Sequence, residues 1–139
     1  MVSEIIFLMK ILLSAFLGGI VGFERERTHR PAGLRTHMIV CLSSCLITLV
    51  SMNASYNSDP LRIAANVITG IGFIGAGTII ASSGNVKGVT TAATIFAVAG
   101  IGIAVAAGFY LTAIFSTLLI FGILELKKLE NRDLRFFGY

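Results

Sequence analysis

The chain has 139 residues, of which 55% are hydrophobic and only 13% charged, and its mean hydropathy is +0.89. An ordinary soluble domain carries roughly 25% charged residues, so the composition excludes a wetted globular surface and points to an all-α membrane protein. The formal net charge of +4 is no sign of nucleic-acid binding, because the basic residues lie between hydrophobic runs rather than on a soluble face.

Five apolar segments follow one another, at about 5–23, 34–52, 63–81, 89–107 and 109–126. A spanning helix needs ~20 residues. The run from Val89 to Leu126 is too long for one crossing, and Gly108 divides it, since a glycine can end a helix in a left-handed turn. No segment alternates apolar and polar residues as barrel strands do. The expectation is a single transmembrane domain over residues 1–139, a bundle of about five helices in contact with membrane lipid.

Arg25, Arg27, Arg30 and Arg35 lie between the first and second segments, Lys87 between the third and fourth, and Lys127, Lys128, Arg132 and Arg135 in the tail. Five crossings place all of these on one side. The positive-inside rule makes that side cytoplasmic, with the N-terminus outside and the C-terminus inside. Glu4 precedes the first apolar run and the cations follow it, which is the pattern of a retained anchor rather than of a cleaved leader.

In the first segment Lys10, Ser14, Gly18 and Gly22 recur every four residues and line one helix face. Gly18 and Gly22 form a small-xxx-small pair that lets another helix approach closely. Lys10 lies about a third of the way in from the outer side. Either its stem snorkels to the headgroups, or it faces a cavity, where Asn66 of the third segment lies at similar depth and could complete a polar site. Asn66, Gly70, Phe73 and Gly77 form a stripe at helical spacing.

Gly70-Ile71-Gly72-Phe73-Ile74-Gly75 matches GxGxxG literally, but no strand precedes it and no acidic residue follows at the ribose-binding distance. Gly70, Gly72, Gly75 and Gly77 instead describe a helix thin on more than one side, expected in the middle of a bundle. The alternative is a local break near Gly72–Gly77 of the kind that forms substrate sites in transporters. Cys41 and Cys45 share a helix face at a spacing poorly placed for a disulfide, and read as small packing residues.

The cytoplasmic end holds the densest chemistry. Glu24, Arg25, Glu26 and Arg27 close the first helix, and Pro31 through His37 open the second. Thr36 reads as a cap for the second helix. Thr90 and Thr91 begin the fourth, where either can cap the free N–H groups, and that helix end favours an anion or a carboxylate such as Glu24. The plain reading is topology cations plus caps. The sharper one is an ion-paired gate with Glu24 and Arg35 as partners.

Glu24-Arg25-Glu26, Pro31-Ala32-Gly33-Leu34-Arg35-Thr36-His37, Gly70 to Gly77, and Lys87-Gly88-Val89-Thr90-Thr91-Ala92-Ala93, in this order and spacing, resemble the MgtC/SapB family. The resemblance runs from the first helix to the fourth. It implies a multi-pass protein of the bacterial inner membrane, associated with adaptation to low magnesium and to stress, in a family discussed both as transporters and as regulators of other membrane proteins. The chain carries Phe96 where the family often has Trp. It also ends at Tyr139, which leads us to expect the transmembrane part alone, without the soluble C-terminal domain of some members.

Ahead of Glu125, at the very end of the fifth segment, the only acidic residues are Glu4, Glu24, Glu26 and Asp59, none inside a helix core. A direct magnesium path lined by carboxylates is therefore not indicated. His29 reads as a loop residue and His37 as an interfacial one. Neither has a ligand-spaced partner, and no nucleophile–base pair is placed. The expectation is a non-enzyme without cofactor or metal. It is either a regulator acting through helix–helix contacts or an oligomeric ion or small-solute channel with Lys10, Asn66, Glu24 and Arg35 along the path. A homo-oligomer is expected, a dimer first because two-fold closure is commonest, with another membrane complex as the further partner.

Overall fold

The structure, a computed structural model, describes residues 2–54, 60–82 and 85–136, with side chains at 3–53, 62, 65–79 and 86–126. The tail cations Lys127, Lys128, Arg132 and Arg135 therefore fall outside the described side chains. The elements are α1 (Val2–Arg27), α2 (Leu34–Ala54), α3 (Pro60–Gly77), β1 (Ile80–Ser82), β2 (Asn85–Lys87), α4 (Val89–Ala106) and α5 (Tyr110–Phe136). Ser3–Arg27, Leu34–Asn53 and Val89–Ala106 are long and apolar enough to cross a membrane, while Ala65–Gly77 and Tyr110–Leu126 are shorter apolar helices.

The division at Gly108 holds, for the reason anticipated. Gly108 takes φ 89°, its N–H donates to Val105 O, and Phe109 N–H donates to Ala104 O. These two bonds are the Schellman ending of α4. The same ending closes α1 on a residue that is not glycine. His29 takes φ 53°, its N–H donates to Glu26 O, and Arg30 N–H donates to Arg25 O.

One expectation for the third segment is overturned, and one alternative is not realised. It does not run to residue 81 but stops at Gly77, where Thr78 donates through both N–H and Oγ1 to Gly75 O. Beyond it β1 pairs antiparallel with β2, Ile80 opposite Lys87. α3 is unbroken across Gly72, so the broken-helix alternative is not realised. Its glycine-rich stretch is helix throughout, which also disposes of the dinucleotide motif. Gly88 then starts α4 at φ 90°. A Cβ there would collide with Thr78 O, so the return from the hairpin requires glycine.

The packed centre is α1, α2 and α4, with α3 laid on α2 and α4, and α5 on α1 and α4. Three glycines set its spacing. A Cβ on Gly18 would sit 2.7 Å from His37 O, one on Gly22 would sit 2.8 Å from Leu34 Cα, and one on Gly102 would strike Cys41 O. Backbones in such contact pack by dispersion, the main attraction available between helices in lipid. Val21, Cys41, Cys45, Ile95, Val98, Ala99 and Val105 fill the spaces between them, none of them accessible. Buried hydroxyls bond back to their own helix, as Thr48 does to Ser44 O and Thr117 to Ala113 O, which lets them sit in an apolar centre at little cost. Outside, large apolar side chains stand free, among them Leu111 at 84% and Phe73 at 81% exposure, a surface suited to hydrocarbon and not to water.

Candidate functional site

The chemistry gathers at the end of the bundle where α1 stops and α2 and α4 start. Glu24 and Arg25 are 1% and 3% exposed and pair with each other at 2.5 Å. The expected Glu24–Arg35 gate is therefore not formed. Arg35 is exposed, while Arg25 is adjacent in sequence to Glu24 and enclosed with it. The second acid, Glu26, accepts Leu34 N–H at 2.7 Å and so caps α2, a role assigned by sequence to Thr36. Gly33 is what permits this, since a Cβ there would lie 2.8 Å from Glu26 Oε2. Farther out, Arg27 bonds Glu125 of α5 at 2.8 Å.

His37 is fully enclosed rather than interfacial. Its Nδ1 is 2.8 Å from Gly33 O and its Nε2 is 2.9 Å from Thr94 Oγ1. A carbonyl only accepts, so Nδ1 carries a proton. Thr94 Oγ1 also lies 2.8 Å from Thr91 O. With a neutral imidazole, the single Thr94 hydroxyl proton is contested between His37 Nε2 and that carbonyl. The His37–Thr94 contact ties α2 to α4 within a network of four polar groups that an apolar substitute cannot satisfy.

The expected caps of α4 are also corrected. The N-cap is Gly88 with no side-chain hydrogen bond. Thr90 is exposed and Thr91 is buried at 2%. Both line a cavity of about 610 Å³ with Arg25, His29, Arg30 and Lys87. This grouping was not foreseen. The start of α4 was read as favouring an anion, but the dense run Arg25–Arg30 and Lys87 was read as marking topology, because nothing in one dimension places the hairpin beside the α1–α2 loop.

At the other end, Lys10 neither snorkels nor meets Asn66. Its Nζ donates to Ala106 O at 2.7 Å and lies 5.8 Å from the centre of the Tyr110 ring. Ala106 is the last residue of α4, so the ammonium sits on the negative end of a helix dipole with an aromatic face beside it. Asn66 is exposed on α3 and lines a separate groove of about 480 Å³ with Ser43, Ser44 and Gly70. The glycines divide as well. Gly18 and Gly22 are consumed inside the chain, Gly75 packs on Ala92 at 3.5 Å, and Gly70, Gly72 and Gly77 would present a Cβ to nothing within 4 Å. The glycine helix expected in the middle of the bundle is thus at its edge. Among the described residues no group of three or more His, Cys, Asp or Glu is placed to hold a metal.

Long apolar helices around a polar, cation-rich end define a helical membrane protein. Comparison with known proteins is specific. The family model of the MgtC family matches residues 11–132, and the chain belongs to that family. It is 39% identical to SapB of Bacillus subtilis over 92% of this chain and 63% of that protein. It is 42% identical to MgtC of Brucella abortus over 84% of this chain and 50% of that one. It is 38% identical to the Escherichia coli protein named "Putative magnesium transporter YhiD" over 86% of this chain and 59% of that one. The chain thus spans about half to two-thirds of the length of these curated relatives. No solved structure matches it. Three of the four blocks that carried the resemblance build the polar end, the exception being Gly70 to Gly77 of α3. Glu24 and Glu26, Gly33 and His37, and Gly88 and Thr91 all act there.

Proposed function

We propose that the chain is a multi-pass protein of the bacterial inner membrane, with all five helices crossing, the N-terminus outside and the cation-rich end in the cytoplasm. In this reading it regulates other membrane proteins during magnesium limitation and stress, by helix–helix contact, and works as a homodimer. The observation that carries the reading is the outer face of α3. Asn66, Gly70, Phe73 and Gly77 are all exposed there. An amide facing hydrocarbon is unfavourable, and a neighbouring helix relieves it. Exposed glycines cost a helix ~1 kcal/mol each relative to alanine and gain nothing within this chain. A second helix seated on that face gives both a purpose. The sequence reading put the docking surface on Gly18 and Gly22. Those are already occupied, and α3 takes over the role.

The second reading is an oligomeric ion or small-solute channel. The 610 Å³ cavity at the cation-rich end favours it, as does the name of the Escherichia coli relative. Against a path through one copy stand the contacts of Gly18, Gly22 and Gly102, which close the α1–α2–α4 centre. A path would have to run between copies.

Gly70→Leu and Gly77→Leu test the docking face. Both positions are open, so unfolding of the solubilised protein should shift by less than about 0.5 kcal/mol. Disulfide cross-linking between copies through Phe73→Cys, strong in native membranes, should fall several-fold, and growth of a deletion strain in low magnesium should no longer be restored. Full complementation by both leucine variants, without cross-linking in the parent, would end the proposal.

A further inference from the structure

We infer that the cavity between the α1–α2 loop, the hairpin and the start of α4 is a binding site for a phosphate-type oxyanion. Four groups that can carry positive charge, Arg25, His29, Arg30 and Lys87, line it together with Thr90 and Thr91. Among the described residues no carboxylate lines it: Glu24 is engaged by Arg25, Glu26 by Leu34 N–H, and Glu125 by Arg27. Arg25 is thereby neutralised, and the excess charge comes from Arg30 and Lys87.

Two further features aim at an anion. The first is α4, an 18-residue helix whose N-cap supplies no side-chain acceptor. Its first intrahelical bond at this end is Ala92 N–H to Gly88 O, so the N–H groups before it remain available, and Gly88 through Thr91 form the cavity wall. Such a helix end offers oriented donors and a partial positive charge. The second is independent of the helix. Arg30 Nε is buried and has no hydrogen-bond partner among the described residues. A buried guanidinium N–H without an acceptor is costly, and a planar fork is the geometry that takes two oxygens of a phosphate at once. The αL conformation of His29 ends the α1 turn, and His29 and Arg30 beyond it both line the cavity.

The remaining wall is apolar, with Val89, Ile123 and Leu124. A phosphate held here has cations on one side and α5 on the other. Two sources share this chemistry, the headgroup phosphate of an anionic lipid and a free phosphate or phosphomonoester. The inference goes beyond the regulatory proposal and does not depend on it. Loss of cross-linking at α3 would leave phosphate binding here untouched.

The test uses the full chain in detergent and in bilayer discs. One arm titrates inorganic phosphate and follows binding by calorimetry. The other follows retention of phosphatidylglycerol against phosphatidylcholine by native mass spectrometry. Arg30→Gln and Lys87→Gln are measured beside Arg62→Gln, an exposed cation at the start of α3. Each of the first two should weaken binding about tenfold, as expected for losing one charge-assisted contact, and Arg62→Gln should not. Lys87 is exposed on the hairpin, so its variant keeps the fold even if Arg30→Gln does not. Phosphate binding lost in the variants identifies a soluble ligand. Selective phosphatidylglycerol retention lost in them, without phosphate binding, identifies a headgroup. No binding of either probe, or binding unchanged in Lys87→Gln, overturns the inference.

Discussion

Gly102→Ala will destabilise the folded bundle by about 3 kcal/mol or more, the upper end of what overpacking costs. The added methyl would meet the Cys41 carbonyl oxygen, with Cys41 C and Cys45 N both 3.1 Å away. These are backbone atoms in the middle of α2, and they can yield only if α2 and α4 separate. Separation would also stretch the His37–Thr94 bond of 2.9 Å. Gly70→Ala supplies the control. It adds the same methyl where nothing lies within 4 Å, so it should be neutral or stabilising by up to ~1 kcal/mol through helix propensity. Reversible unfolding in mixed detergent micelles measures both. Equal midpoints for the two variants would show that the α2–α4 contact is not as close as described.

Glu24→Leu will cost about 3–5 kcal/mol, the range for removing one partner of an enclosed ion pair. The loss comes less from the missing attraction than from Arg25, left charged at 3% exposure beside the cavity. Replacing Arg25 with leucine as well should restore much of the stability, because an apolar pair needs no desolvation. The pair of Arg27 with Glu125, at 51% and 30% side-chain exposure, should contribute no more than about 1 kcal/mol in the same assay, since water screens it. A Glu24 variant as stable as the parent would remove this pair from the account of the polar end.

Much of this was open to reading from the residues. Apolar runs of spanning length need no tertiary information, and Gly108 was identifiable because a continuous run of that length must turn somewhere. Gly18 and Gly22 were read as a close helix contact, and they make one. What could not be read was the partner. Gly18 meets His37 of its own chain, whereas the same small-residue logic applied to α3 put its glycines in the centre when they lie at the edge. Spacing tells which residues share a face and not what covers it. The hairpin was hidden for a related reason. Ile79, Ile80 and Ala81 continue an apolar run, and a short apolar stretch does not distinguish helix from strand. Lys10 was singled out as a cation within the first apolar segment, but its acceptor is a main-chain carbonyl 96 residues away, and carbonyls leave no mark in a sequence. The Glu24–Arg35 pair failed because an adjacent arginine was closer. The cation cavity was missed because charges near a membrane satisfy a topology rule whether or not they also converge.

The central claim is that the chain acts by contact and not as a conduit, and ion flux tests it most directly. Purified, folded and oriented protein in liposomes under a clamped potential would be followed for Mg²⁺, K⁺, H⁺ and phosphate, with Lys10→Met alongside. We expect no flux above that of empty liposomes for either protein, because Gly18, Gly22 and Gly102 close the centre and Lys10 is bound to Ala106 O. Flux through the parent that Lys10→Met abolishes would contradict the claim and make the chain a transporter with that lysine on its path.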